Sequence, residues 1–185
     1  MAEANTAFLV NVDDYIQGEL KSEVRHEYIG GQVYAMSGGS EAHSLICGNL
    51  HAAIHRHLSG KPCKVFIADM KVRLNIAKED IFYYPDIFVT CDLEDNAKYY
   101  KVSPTVIVEV LSPSTERLDR REKFLSYQRL DSLQEYILID QNKLEVSLFE
   151  RSKEWHLSLL GSRDFLNVNS LNFSISVDAI YEDVC

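Results

Sequence analysis

The segment Thr105-Val106-Ile107-Val108-Glu109-Val110-Leu111 constrains this chain more than any other, because it sets one carboxylate inside an otherwise apolar, largely β-branched run. The run reads as a strand over 105–111, and its alternation places Glu109 on the same face as Ile107 and Leu111. A carboxylate there is costly unless it is paired or bound to a metal ion. Solvated glutamates seldom interrupt so apolar a strand, so Glu109 is the first candidate functional residue.

A second acid stands upstream in Tyr84-Pro85-Asp86-Ile87-Phe88-Val89. Pro85 cannot donate to a ladder and suits a strand start, and Asp86 follows it directly. After the central strand, Ser112-Pro113 is a stop, and Ser114 or Thr115 can cap a helix running to about Leu130. On that helix Glu116, Arg120, Lys123 and Tyr127 fall within roughly 60° of one another. Leu118, Phe124 and Leu125 form a neighbouring apolar face able to pack on the sheet, which sets Lys123 at a boundary from which it can reach back toward Glu109. Tyr127 reads either as a packing residue or as a group touching the same site.

Two acids and a lysine suit phosphodiester hydrolysis. Hard oxygen ligands favour Mg²⁺ or Mn²⁺, which stabilises charge on a phosphate and lowers the pKa of bound water. A nearby lysine orients that water or neutralises charge in the transition state.

Around this centre, Asp13-Asp14 opens a short helix through Leu20, and His26-Glu27-Tyr28-Ile29-Gly30-Gly31-Gln32-Val33-Tyr34-Ala35-Met36 reads as a hairpin turning at the two glycines. Ser40 caps an amphipathic helix over 41–58, with Ile46, Leu50, Ala53, Ile54 and Leu58 on its apolar face and Gly60-Lys61-Pro62 ending it. Strands are expected at 63–68, 70–75 and 81–90, a loop from Cys91 to Pro104, strands at 135–140, 143–151 and 155–160, and a last short helix at 176–181. No repeat or linker interrupts residues 1–185, so one α/β domain is expected, with a mixed central sheet flanked by helices and an N-terminal hairpin extension.

The net charge of −9 argues against a non-specific nucleic-acid coat protein, which needs a broad basic surface, though an acidic body can carry a small basic groove. No apolar run approaches the roughly 20 residues of a membrane span. The first residues lack a basic start followed by an apolar block, so the expectation is a cytoplasmic protein without a secretory signal or membrane association. Cys47, Cys63, Cys91 and Cys185 include no close pair, and free thiols are expected. His51 and His55 have the spacing of a chelating pair but belong to a polar helix face, whereas His43 lies nearer the candidate site. Arg117, Arg120, Arg121 and Arg129 read equally as phosphate contacts or as a solvated face among acids.

Taken together, Asp86 in Tyr-Pro-Asp, Glu109 in Val-Glu-Val-Leu-Ser-Pro-Ser-Thr, and then Asp119, Lys123 and Tyr127 resemble the PD-(D/E)xK restriction-endonuclease-like superfamily, in particular its bacterial branch abundant in cyanobacteria. The hairpin segment and Gln134-Glu135-Tyr136-Ile137-Leu138-Ile139-Asp140 share the resemblance, which spans roughly residues 13–150. It implies a restriction-endonuclease-like fold and a Mg²⁺- or Mn²⁺-dependent endonuclease acting on nucleic acid, with DNA the expected substrate. It further implies Asp86 and Glu109 as metal ligands, the Val110 carbonyl as a third, and Glu27 as an additional acid. Homodimers are common among such enzymes and are expected on that ground. The superfamily's lysine two residues after the glutamate is replaced by Leu111, and the branch supplies it from the following helix, where Lys123 lies. Two rival readings remain: a binding module that keeps the fold without cleaving, and a metal-free two-carboxylate hydrolase such as a glycosidase.

Overall fold

A computed structural model describes residues 9–113 and 115–184. Asn11 caps the first helix, α1 (Val12–Glu19), its side chain accepting the Asp14 N–H, with Asp13 and Asp14 against the positive end of the helix dipole. The chain then forms β1 (His26–Ile29) and β2 (Gln32–Ala35), antiparallel about Gly30 and Gly31, whose φ of 54° and 94° a side chain would strain. Ser40 accepts the His43 N–H to start α2 (Glu41–Leu58), which buries Ile46, Cys47, Leu50, Ile54 and Leu58.

Next come β3 (Lys64–Ile67), β4 (Lys71–Ile76), β5 (Glu79–Tyr83) and β6 (Ile87–Thr90). The single strand expected over 81–90 is therefore two. Tyr84-Pro85-Asp86 breaks it, since Pro85 supplies no ladder donor, and the halves enter different sheets. The expected loop after Thr90 holds a two-residue strand, β7 (Tyr100–Lys101), ahead of the long β8 (Pro104–Leu111).

The expected continuous helix to Leu130 is shorter and irregular: α3 (Glu116–Leu118), a π-helical turn (Asp119–Lys123) and α4 (Phe124–Tyr127). The proposed Ser114 cap lies outside the described residues, and Thr115 makes no capping bond. The C-terminal third contains β9 (Glu135–Asp140), β10 (Val146–Glu150), β11 (Leu157–Leu160), β12 (Phe165–Val168), β13 (Phe173–Ser176) and α5 (Val177–Ile180). The β12–β13 hairpin had no clear alternation, because Asn167, Asn169 and Asn172 interrupt it.

The central sheet is mixed, ordered β11-β10-β9-β8-β6-β3, with β8 and β9 parallel and its other pairs antiparallel. One face carries Val89, Val106, Val108, Val110, Ile137 and Ile139 against α2 and the C-terminal hairpin. The other carries Phe88, Ile107, Leu111, Tyr136 and Leu138 against Tyr83, Tyr127 and Leu133. A second sheet, β2-β1-β5-β4-β7, incorporates the N-terminal hairpin, so that hairpin pairs with β5 and does not stand apart.

The cysteines correct one expectation. Cys63 and Cys91 flank the antiparallel β3–β6 pair, in which Lys64 faces Thr90, and they form a disulfide. Cys47 is free and buried, as expected, and Cys185 lies outside the described residues.

Candidate active site

Glu109 is 2 % exposed, on the β8 face that also carries Ile107 and Leu111, as alternation requires. Its Oε1 accepts from the Tyr127 hydroxyl at 3.3 Å and from Lys123 Nζ at 3.3 Å. Its Oε2 accepts the Asp86 N–H at 3.2 Å. Asp86 in turn takes the Val110 N–H on Oδ2 at 2.7 Å, and His43 Nε2 lies 3.2 Å from the same oxygen. The break at Tyr84-Pro85-Asp86 thus hangs Asp86 beside β8, and the two carboxylates converge on one cleft that Val110, Asp119 and Lys123 also line.

Lys123 is 5 % exposed and has three carboxylate partners: Glu27 at 2.9 Å, Glu109 at 3.3 Å and Asp119 at 3.3 Å. Glu27 reaches it from β1 and is buried, not the surface acid that a hairpin position would suggest. The π-helical turn presents both Asp119 and Lys123 inward, and Tyr136 holds the turn by donating to the Asp119 carbonyl at 2.9 Å.

The electrostatics follow from this crowding. Burial alone would lower the Lys123 pKa, but Glu109, Glu27 and Asp119 outweigh it, and the ammonium stays protonated well above its usual range. Glu109 is pushed well above the ordinary carboxylate range by burial first; Lys123 pulls it back, while Asp119, Asp86 and Glu27 reinforce burial. Asp119 is raised, again by burial. The hydrogen bond to Asp86 raises His43 against the opposing effect of burial.

The five residues singled out as catalytic from the sequence, Asp86, Glu109, Lys123, Glu27 and Tyr127, therefore share one connected cluster. Tyr127 both packs against Tyr83 and donates to Glu109. Asp119 belongs to the motif and stands four residues before Lys123, the spacing of a helical ion pair, and the two do pair, but buried at the site. His43 contacts Asp86 directly, and the loop before it passes close over its ring: a Cβ on Gly39 would lie 2.9 Å from His43 Nδ1. His51 and His55 stack on each other at 5.9 Å, away from this cluster. Of the helix arginines, Arg120 pairs with Glu116 at 2.8 Å, and Arg117, Arg121 and Arg129 are exposed.

The donors suit a hard divalent cation. Among the described residues Asp86 Oδ1 has no hydrogen-bond or ion-pair partner, and it stands beside a second carboxylate at the cleft. His43, Cys47 and Asp86 also offer three donor atoms within 4.8 Å of one another. Burial pushes the Cys47 thiol upward, however, and a zinc-type ligand must be a thiolate.

Comparison with known proteins adds lineage to this geometry. A family model described as "Uma2: Putative restriction endonuclease" matches residues 12–178. The chain is 36 % identical over 172 residues to "Uncharacterized protein slr1290" of Synechocystis sp. (strain ATCC 27184 / PCC 6803 / Kazusa), covering 91 % of this chain and 90 % of that protein. It is 30 % identical over 160 residues to "Uncharacterized protein sll1609" of the same organism, covering 84 % and 89 %. Its fold matches the crystal structure of "a putative nuclease belonging to DUF820" from Anabaena variabilis ATCC 29413 with a TM-score of 0.74, at 17 % identity, covering 92 % of this chain and 98 % of that one. Among the described residues no helix is long and apolar enough to cross a membrane.

Proposed function

Because the chain belongs to the Uma2 family of restriction-endonuclease-like proteins, we propose that it is a divalent-metal-dependent endonuclease that hydrolyses phosphodiester bonds in DNA. The observation that carries this reading is the Glu109 carboxylate, buried in a strand yet opening on a cleft beside Asp86 and Lys123. Asp86 and Glu109 would hold Mg²⁺ or Mn²⁺, with the Val110 carbonyl as a further oxygen. When bound, the ion supplies charge stabilisation at the phosphate and acidifies its water.

The chain's own groups do the rest. Lys123 is held protonated by its three carboxylates, so it acts as a hydrogen-bond donor and positive charge, not as a general base. Its Nζ orients the attacking water and faces the charge that builds as the new P–O bond forms and the ester P–O bond breaks. Tyr127 and the Asp86 N–H fix the Glu109 carboxylate in its rotamer. Glu27 and Asp119 hold the Lys123 ammonium toward the cleft. A homodimer, each subunit cutting one strand, belongs to the same proposal, and light scattering of the purified protein tests it.

The test is incubation with supercoiled plasmid, single-stranded DNA and RNA in Mg²⁺ or Mn²⁺, beside Glu109→Ala and Lys123→Ala. Plasmid nicking by the wild type is expected, with a loss of at least about 100-fold in either variant and complete loss in EDTA. One observation favours a second reading, a module that binds nucleic acid without cutting it. Leu111 replaces the strand lysine and lies in the apolar core, and Lys123 is fully engaged by acids. Binding without cleavage in either metal would establish that alternative.

A further inference from the structure

A second cavity adjoins the candidate catalytic cleft, sharing Tyr84 with it and lined further by Arg25, Lys71, Lys98 and Tyr99. Lys71 opens β4 and is only 6 % exposed. Its ammonium donates to the Tyr84 hydroxyl at 2.9 Å and lies 4.9 Å from that ring. Among the described residues no carboxylate lies within ion-pair distance of it, so a buried cation with three N–H groups makes one hydrogen bond. Such a group is costly unless something negative completes it.

The acids at the same cavity are already engaged. Glu19 accepts from Tyr84 at 2.6 Å and from the His26 N–H at 3.2 Å, and pairs with the His26 ring at 2.9 Å. Asp69 pairs with Arg25 at 2.8 Å. Lys98 is exposed at the rim, its Nζ 5.0 Å from the Tyr99 ring, with no acid paired to it among the described residues. Burial lowers the Lys71 pKa, with Glu19 only partly opposing it, which is the signature of a cation short of counter-charge.

We propose that Lys71 and Lys98 form an anion subsite that grips a phosphate of the nucleic-acid strand next to the bond being cut. The geometry favours this because Tyr84 stands two residues before Asp86 and separates the cavity from the cleft. A polyanion approaching four site carboxylates on a chain of net charge −9 needs a local positive anchor, and this cavity supplies one. The inference rests on the nuclease reading. The phosphate is either an internal phosphodiester or a terminal monophosphate, and the experiment separates the two.

Fluorescence anisotropy in Ca²⁺ over a range of KCl would compare wild type, Lys71→Met, Lys98→Ala and Glu109→Ala. The probes are one short DNA strand with a 5′-hydroxyl or a 5′-phosphate, and the matching duplex. Each lysine variant is expected to bind several-fold more weakly and to lower the slope of log K against log[salt] by about 0.7–0.9. An effect on every probe identifies an internal phosphodiester; an effect confined to the 5′-phosphorylated strand identifies a terminal phosphate. Methionine is a buried isostere of lysine, and circular dichroism checks that the variant folds; Lys98→Ala, at an exposed position, carries the test if it does not. Wild-type affinity and slope in the folded lysine variants on every probe would overturn the subsite while leaving the nuclease reading intact. Failure of wild type to bind any probe would overturn both.

Discussion

At the scale of single residues, Glu109 carries a conflict between stability and chemistry. Its pKa is raised by burial, so folding favours its protonated form relative to the unfolded chain. The sign follows: its contribution to stability is fully present below the ordinary carboxylate pKa and is lost as pH rises through the elevated folded value. Glu109→Gln should therefore melt above the wild type at pH 8, by about 1 kcal/mol in stability, while losing cleavage. The gap between the two melting temperatures should shrink toward pH 5, as calorimetry across that range would reveal. The residues differ in how legible they were. Glu109 declared itself, because alternation and burial left a carboxylate with no structural excuse. Asp86 and Lys123 followed from their spacing to it. Glu27 was visible only by resemblance, since nothing local tells a hairpin that Lys123 will arrive from nearly a hundred residues away, and His43 reaches Asp86 for the same long-range reason.

At the scale of elements, the break between β5 and β6 and the π-helical turn do most to shape the site. Both depart from regular patterns, which is why periodicity did not show them: apolar residues on both sides of Pro85-Asp86 make 81–90 read as one run, and 116–127 has helical spacing throughout. The α2 helix, the central strands and the β1–β2 hairpin, by contrast, lay where apolar spacing and turn glycines put them. The π-helical turn accommodates one residue more than an α-turn, and Arg121 within it is exposed. Deleting Arg121 should restore an α-turn and keep Tyr127 on Glu109, while changing the Asp119–Lys123 spacing from i, i+4 to i, i+3 and setting Asp119 about 60° around the helix from the lysine, off its present ion-pair geometry. The expected result is a folded protein with strongly reduced cleavage. Retained activity would mean that Asp119 is dispensable for holding the lysine.

At the scale of the molecule, the candidate site lies where the two sheets meet. Glu27 comes from the five-stranded sheet, Glu109 from the six-stranded sheet, Asp86 from the segment joining them, and Lys123 from the helix that follows. Carboxylates outnumber cations at this junction, so a bound divalent ion should tighten the whole molecule. At a Mg²⁺ concentration of 100 times Kd, linkage gives about 2.7 kcal/mol, or a rise of about 5–10 °C in Tm for a chain of this size. Glu109→Ala should abolish that rise, and an unchanged wild-type Tm in millimolar Mg²⁺ would argue against the metal independently of any cleavage assay.

The junction also has a consequence in time. A chain emerging from the ribosome delivers Glu27 first, then Asp86 and Glu109, and Lys123 last of the four. Even then β8 waits for its parallel partner β9 to be synthesised. A growing chain therefore carries the acids well before the cation that joins them, and the cluster can close only once β9 has been made.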